Sequence, residues 1–212
     1  MKNIVALGGK KGSGKDLVGE IIQYLTSECS GINNKHYRTF EEFQRFRYAH
    51  EDYWYLSDWD IQKFAERPAM CYQVITGVNF RKLDRQEKEV HRPSFVEMSN
   101  TLKQVFGSNV WVDGLFKDYE EGSKWIITDL RYVQELREVN EREGITIRIA
   151  RPCSECGLYE AHKMSCSHNK PEDDSETALD DYQNWDYRIL NDGTVEDLIE
   201  KVREILIKEE II

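Results

Sequence analysis

The string Gly8-Gly9-Lys10-Lys11-Gly12-Ser13-Gly14-Lys15-Asp16 sits between an apolar run, Ile4 to Leu7, and a stretch in which Leu17, Val18, Ile21, Ile22 and Leu25 recur at helical spacing. A buried strand, a glycine-rich turn and an amphipathic helix must therefore follow one another with almost no chain between them. That order commits the chain to an α/β fold, because a strand that feeds a helix at once has to lie in a sheet covered by helices. The pattern G-x-x-x-x-G-K runs from Gly9 to Lys15. Glycines there let successive backbone N–H groups turn inward, and the helix behind them adds its positive dipole end, so the turn is suited to grip phosphate.

The string alone is short enough to arise by chance, and the strand-loop-helix setting is what gives it weight. In such a loop Lys11, Gly12, Ser13, Gly14, Lys15, Asp16 and Leu17 would line a nucleotide triphosphate, with Lys15 neutralising the β and γ phosphates. The position after the lysine usually offers a Ser or Thr hydroxyl to Mg²⁺. Here it is Asp16, a carboxylate that repels phosphate oxygens unless a cation lies between, so we read it as part of a metal shell.

A second informative stretch is Trp125 to Thr128, an apolar run that ends at Asp129 and is followed by Arg131 and Glu135. In an open α/β sheet the ligand crevice lies beyond the carboxyl ends of the strands, where Asp129 is expected. A carboxylate there can bind Mg²⁺, and a guanidinium such as that of Arg131 can grip phosphate with a planar fork. Glu135 would share a helix face with Arg131 and orient it. The competing reading is an ordinary surface ion pair after a strand.

Composition sets limits. The chain has 212 residues with 40% apolar content, enough for one core with a small insertion. Its formal net charge is −10, and no basic tract stands out, which argues against nucleic acid as a partner. Anionic nucleotides must then be attracted by local clusters of cations. No apolar stretch approaches the roughly 18 residues of a membrane span, and the phosphate loop begins too early for a signal peptide. No membrane partner and a cytoplasmic location are expected. Five cysteines, an odd number, argue for thiols or metal ligands over a disulfide framework.

Elsewhere the periodicity predicts strands near 3–7, 145–150 and 187–190 and helices near 15–28 and 133–143, the latter with Gly144 beyond its end. Gly31 to Asn34 reads as a turn, and 36–60 resists assignment. A mixed helical pattern runs from Ile61 to Ile75 and stops at Gly77. Arg81 to Arg92 reads as a charged, solvated stretch, with Pro93 starting a helix over Val96 to Phe106. Thr194 caps a final helix whose stripe is Val195, Leu198, Ile199, Val202, Ile205 and Leu206. The fold class is α/β, a parallel sheet covered on both faces, with a core over 1–151 and 182–212 and a lid segment over 152–181 that breaks all periodicity.

Four features in this order resemble the phage-type deoxynucleoside monophosphate kinases: the loop ending in Lys15-Asp16, Asp129-Leu130-Arg131 with Glu135, Ser175-Glu176 after the lid, and Asn191-Asp192-Gly193-Thr194 before the last helix. Phosphomevalonate kinases are similar more weakly. The resemblance spans most of the chain except 33–60, with Phe64-Ala65 and Asp84-Arg85 as fainter echoes. It implies an adenylate-kinase-like P-loop fold, transfer of the ATP γ-phosphoryl group to a deoxynucleoside monophosphate with Mg²⁺, and a homodimer as a reasonable assembly. Asp192, Gly193 and Thr194 would join the loop at ATP. Arg92, Lys103, Trp111, Arg131, Glu135 and Glu176 would bind the acceptor. Lys15, Asp16, Asp129 and Arg131 would carry the transfer, with Arg148 or Arg151 swinging from the lid root onto the migrating group. Where the family's acceptor helix has Gly-Thr this chain has Met98-Ser99, and Asp173 replaces a His before Ser175. Trp111, between Val110 and Val112, suits either the core or the acceptor base. The other classes left open are a kinase of another small phosphorylated acceptor, such as phosphomevalonate, and a nucleotide-binding switch without fast turnover.

The lid carries Cys153, Cys156, His162, Cys166 and His168. Three thiolates and one imidazole make a tetrahedral Zn²⁺ set, with either histidine as fourth ligand, and a bound metal would let so apolar-poor a segment fold. Reduced unliganded thiols and a redox pair are the competing readings. Cys29 and Cys71 read as core or near-core thiols.

Overall fold

A computed structural model describes residues 2–27, 39–49, 57–153 and 177–212. Its sheet has five strands: β1 (Ile4–Gly8), β2 (Trp59–Gln62), β3 (Lys124–Leu130), β4 (Ile145–Ala150) and β5 (Tyr187–Leu190), in the spatial order β2-β3-β1-β4-β5. The ladders β1·β3, β1·β4 and β4·β5 are parallel. The protein is therefore α/β, as the alternation of apolar runs and helical stripes predicts. All five residues of β1 are buried, as a central parallel strand with helices over both faces requires.

Alternation along β1 sorts its side chains between two layers. Val5 and Leu7 enter the main core with Val18, Ile21, Ile22 and Leu25 of helix α1 (Lys15–Ser27) and with Leu198, Val202, Ile205 and Leu206 of the last helix. Ile4 belongs to the other layer, where it lies with Val139 of α6 (Val133–Glu141) around Gly144. A side chain at Gly144 would collide with both residues, which is why the strand-leading turn there is a glycine.

Two elements occupy the stretch that the sequence left unassigned. Helix α2 (Phe40–Ala49) packs Phe40 and Phe43 against Tyr24 of α1 and is tied to Glu20, which accepts hydrogen bonds from Gln44 and Tyr48 and pairs with Arg47. Strand β2 includes Ile61, so the helical pattern read from Ile61 begins as a strand. The helix proper, α3 (Glu66–Thr76), does stop at Gly77, which takes the left-handed conformation that closes it.

By its contacts the chain divides into two compact units, Met1–Ile61 with Gly122–Ile212, and Gln62–Glu121. The second unit holds α3, α4 (Arg85–Phe106) and α5 (Val110–Phe116), a division that the sequence reading does not make. Inside it Tyr72 meets Phe80, His91 and Phe95, and Phe64 meets Phe116. Helix α4 corrects one expectation. It starts at Arg85 and carries Pro93 within it, because Asp84 and Glu87 form a reciprocal capping box that nucleates the helix well ahead of the proline. The charged stretch 81–92 is thus helical from Arg85 onward. The final helix, α7 (Val195–Lys208), begins as expected at a Thr194 cap, reinforced by Asp197. No described helix is long and apolar enough to cross a membrane.

Candidate phosphate site at the carboxyl edge of the sheet

Register places most of the candidate residues of the first unit on one edge. Gly8, the last residue of β1, is level with Leu130 on β3 and with Arg148 on β4, and Ala150 is level with Leu190 on β5. The chain moves from β1 toward β3 on one side and β4 on the other, so the crevice of an open α/β sheet is expected above β1. The loop Gly9 to Gly14 occupies that place. It is closed by a Ser13 N–H to Lys10 carbonyl bond at 3.1 Å, and α1 opens with Val18 N–H donating to the Gly14 carbonyl at 2.9 Å. Gly9, Gly12 and Gly14 have positive φ. A side chain on Gly9 would also strike the Ile149 carbonyl and the Ser13 hydroxyl, so the loop lies directly against β4.

Lys15 is buried at the first position of α1, and its Nζ donates to the Gly9 carbonyl at 2.7 Å and the Lys10 carbonyl at 2.8 Å. The ammonium is held across the loop mouth by the loop's own carbonyls, where a phosphate oxygen would compete for it. Ser13 is buried, and its hydroxyl has no hydrogen-bond partner among the described residues. Lys11 and Asp16 are exposed, and Leu17 packs at the margin of the core.

Asp16 reaches the neighbouring strand: its Oδ1 accepts a hydrogen bond from the Thr128 hydroxyl at 3.2 Å. Thr128 precedes Asp129 in β3, and side chains alternate along a strand, so this bond ties Asp16 to the strand that carries Asp129 by way of its neighbour. Asp129 lies within β3, which runs on to Leu130, instead of ending the strand at Thr128. Glu135 departs from expectation more clearly. Arg131 precedes α6 and shares no helix face with it. Glu135 is buried, and its Oε2 accepts the backbone N–H groups of Arg131 at 2.7 Å and Tyr132 at 3.0 Å. It fixes the backbone that presents Arg131 by capping the helix that follows.

On the other flank the structure adds residues that sequence reasoning passed over. Asp180 pairs with Lys10 of the loop and with Arg148 of β4, both at 3.2 Å, and the Arg148 guanidinium lies 5.6 Å from the Trp185 ring centre. Trp185 also fills the space that a side chain on Gly8 would need. Arg148 is buried in this arrangement, whereas Arg151 is exposed just past the end of β4. Of the two arginines offered for the migrating phosphoryl group, Arg151 is the one at the surface. Asn191 donates to the Ser13 carbonyl at 2.9 Å, joining the end of β5 to the loop. Beyond it Asp192 pairs with Lys201, Gly193 packs on the Asp197 side chain and Thr194 caps α7. The signal for Asn191 was present, since it opens the Asn-Asp-Gly-Thr motif, but nothing local to it points to Ser13.

Arg92, Lys103 and Trp111 belong to the second unit. Arg92 makes a bidentate pair with Glu89 one helical turn earlier, Lys103 is half-buried on α4, and Trp111 is buried on α5 with an indole N–H that has no partner among the described residues. Of the cysteine set only Cys153 is described, and it is buried. Cys156, His162, Cys166 and His168 lie outside the described residues, as do Glu176, Cys29 and the turn read at 31–34. Among the described residues no cluster of His, Cys, Asp and Glu forms a metal-binding group. Comparison with protein-family models gives no match, and neither does comparison with curated proteins.

Proposed function

We propose that this protein is a P-loop phosphotransferase that moves the γ-phosphoryl group of ATP to a deoxynucleoside monophosphate. The observation that supports the reading is the register at the carboxyl edge: Gly8 is level with Leu130, so the loop that follows β1 and the segment Asp129 to Arg131 leave the sheet at the same edge. The choice of acceptor rests on the motif resemblance.

Phosphoryl transfer asks little covalent chemistry of a protein, and positioning with charge neutralisation supplies most of the acceleration. In this reading the loop amides and Lys15 hold the β and γ phosphates of the donor. Arg131 holds the acceptor phosphate, whose oxygen forms the new bond to γ-phosphorus as the bond to the β-phosphate oxygen breaks. Arg151 supplies positive charge to the migrating group, and the motif resemblance alone offers Arg92, Lys103, Trp111 and Glu176 as further acceptor contacts. Asp16 and Asp129 are the carboxylates that would hold a Mg²⁺ ion in this reading, and the Thr128 bond ties Asp16 to the strand that carries Asp129. The ion would offset phosphate charge. The Cys153 to His168 stretch is proposed to hold a structural Zn²⁺, which metal analysis of the purified protein would detect at one ion per chain.

The test is ADP release from ATP and Mg²⁺ against a panel of deoxy- and ribonucleoside monophosphates and phosphomevalonate. Stimulation by a deoxynucleotide, with kcat reduced on the order of 10²-fold or more in Lys15→Ala, is expected. Stimulation only by phosphomevalonate would reassign the acceptor, and a flat panel above slow hydrolysis would favour a nucleotide switch.

A further inference from the structure

Asn191 grips the glycine-rich loop from outside. Its Nδ2 donates to the Ser13 carbonyl at 2.9 Å, and the same atom would stand 2.5 Å from a Cβ on Gly14, too close for any side chain there. Asn191 is itself held, since its backbone N–H donates to the Ala150 carbonyl at 2.8 Å. Asn191 is thus held to β4 through its backbone N–H and to the Ser13–Gly14 peptide through its carboxamide.

That peptide is planar and trans, so its C=O and N–H point in opposite directions. Drawing the Ser13 carbonyl toward Asn191 aims the Gly14 N–H to the opposite side. Gly14 directly precedes α1, at φ +103°, and its carbonyl accepts the first helical bond. Its N–H therefore stands among the unpaired donors of the helix N-terminus, the group that receives anions. Left-handed freedom at Gly14 would let this plane rotate if nothing held it.

We infer that Asn191 is a positioning residue of the phosphate site: its side-chain amide locks the Ser13–Gly14 peptide so that Gly14 N–H donates to the donor phosphates. The inference rests on the reading of Gly9 to Lys15 as a triphosphate loop. A lost donor leaves the plane free, and a carboxylate in its place repels the Ser13 carbonyl and favours the opposite orientation.

The test compares wild type with Asn191→Ala and Asn191→Asp, measuring Mg²⁺-ATP, inorganic tripolyphosphate and adenosine binding by calorimetry, and the Gly14 amide shift by nuclear magnetic resonance. Tripolyphosphate and ATP affinities are expected to fall roughly tenfold in Asn191→Ala and further in Asn191→Asp, with adenosine unchanged. The downfield movement of the Gly14 amide on adding tripolyphosphate should shrink in parallel. A purely structural Asn191 would lower the melting temperature and leave that shift and the ATP-to-adenosine ratio alone. Should Asn191→Asp fail to fold, Asn191→Ser keeps a shorter donor and is expected to give an intermediate defect. Wild type that binds neither ATP nor tripolyphosphate would overturn the loop reading and this inference together. Wild type that binds both, with Asn191→Ala binding equally and showing the same Gly14 shift, would overturn the inference alone.

Discussion

Glu135 shows how a side chain can serve a site without facing it. Its carboxylate is buried and takes two backbone N–H groups, those of Arg131 and Tyr132, which would otherwise be orphan donors at the start of α6. Removing it leaves those donors unpaired and opens a space, and a buried donor without a partner costs about 1 to 3 kcal/mol. Glu135→Ala is therefore expected to lose stability on that order in urea denaturation, and Glu135→Gln, which keeps an oxygen acceptor without its charge, to lose less. In the kinase assay both should raise KM for the acceptor more than KM for ATP, since Arg131 rides on the backbone that Glu135 fixes. Equal stability of wild type and Glu135→Ala would remove the capping role. The strand, glycine turn and helix around Gly14 and Lys15 were legible in the sequence because they are contiguous in one motif. Glu135 meets Arg131, as its spacing suggests, but through the Arg131 backbone N–H and not across a shared helix face, since spacing does not say whether the intervening residues are helical.

At the scale of elements, α7 offers a charge that can be titrated. Backbone and side-chain hydrogen bonds from Thr194 hold the Asp197 carboxyl below its ordinary value, with Lys201 adding attraction. At the other end, burial pushes the Glu209 carboxyl up, but hydrogen bonds from Tyr187 and Lys2 outweigh it and leave it lowered, while burial and then the Glu209 bond push the Tyr187 phenol up to about 12. A carboxyl that is more acidic in the folded state stabilises it above the unfolded-state value, and that stabilisation is lost as pH falls through the folded-state value. Both ends of α7 should therefore loosen on the acid side of the ordinary carboxylate range. Amide exchange at Asp197 and Leu198 is expected to lose protection there in wild type, and Asp197→Asn should flatten that pH dependence at the first turn. Unchanged dependence in Asp197→Asn would assign it elsewhere. Elements of this kind were readable when the signal was local: β4, β5 and the Thr194 cap lie where periodicity and capping residues put them. The start of α4 was hidden because Pro93 is a strong boundary signal and outweighed the Asp84-x-x-Glu87 pattern. Helix α2 was hidden because its attachment depends on Glu20 and Tyr24, distant residues of α1.

Over the whole molecule the two units differ in how much apolar surface they bury. The first holds a fully buried central strand, β1, and an unbroken cluster from Val5 through Leu206. In the second the buried apolar side chains are Phe64, Ala69, Tyr72, Trp111, Val112, Leu115 and Phe116, while Val74, Ile75, Val90, Val105 and Phe106 stay largely exposed. Burial stabilises at about 25 cal/mol per Å², and a segment near 60 residues has little to spare against chain entropy. Helix α4 adds a cost, because Pro93 has no N–H for its ladder and its ring crowds the preceding turn. The second unit should therefore open without the first. Native-state hydrogen exchange in increasing urea is expected to show α3, α4 and α5 opening together at a lower free energy than β1, β3 and β4. ATP at about 100 times its Kd would add about 2.7 kcal/mol to the openings that destroy its site, so protection in β1 and α1 should rise while the opening of α4 stays where it was. One shared opening energy for all these elements, shifted as a block by ATP, would instead mean that the chain unfolds as a single cooperative body and that nucleotide held at the loop is felt through every helix.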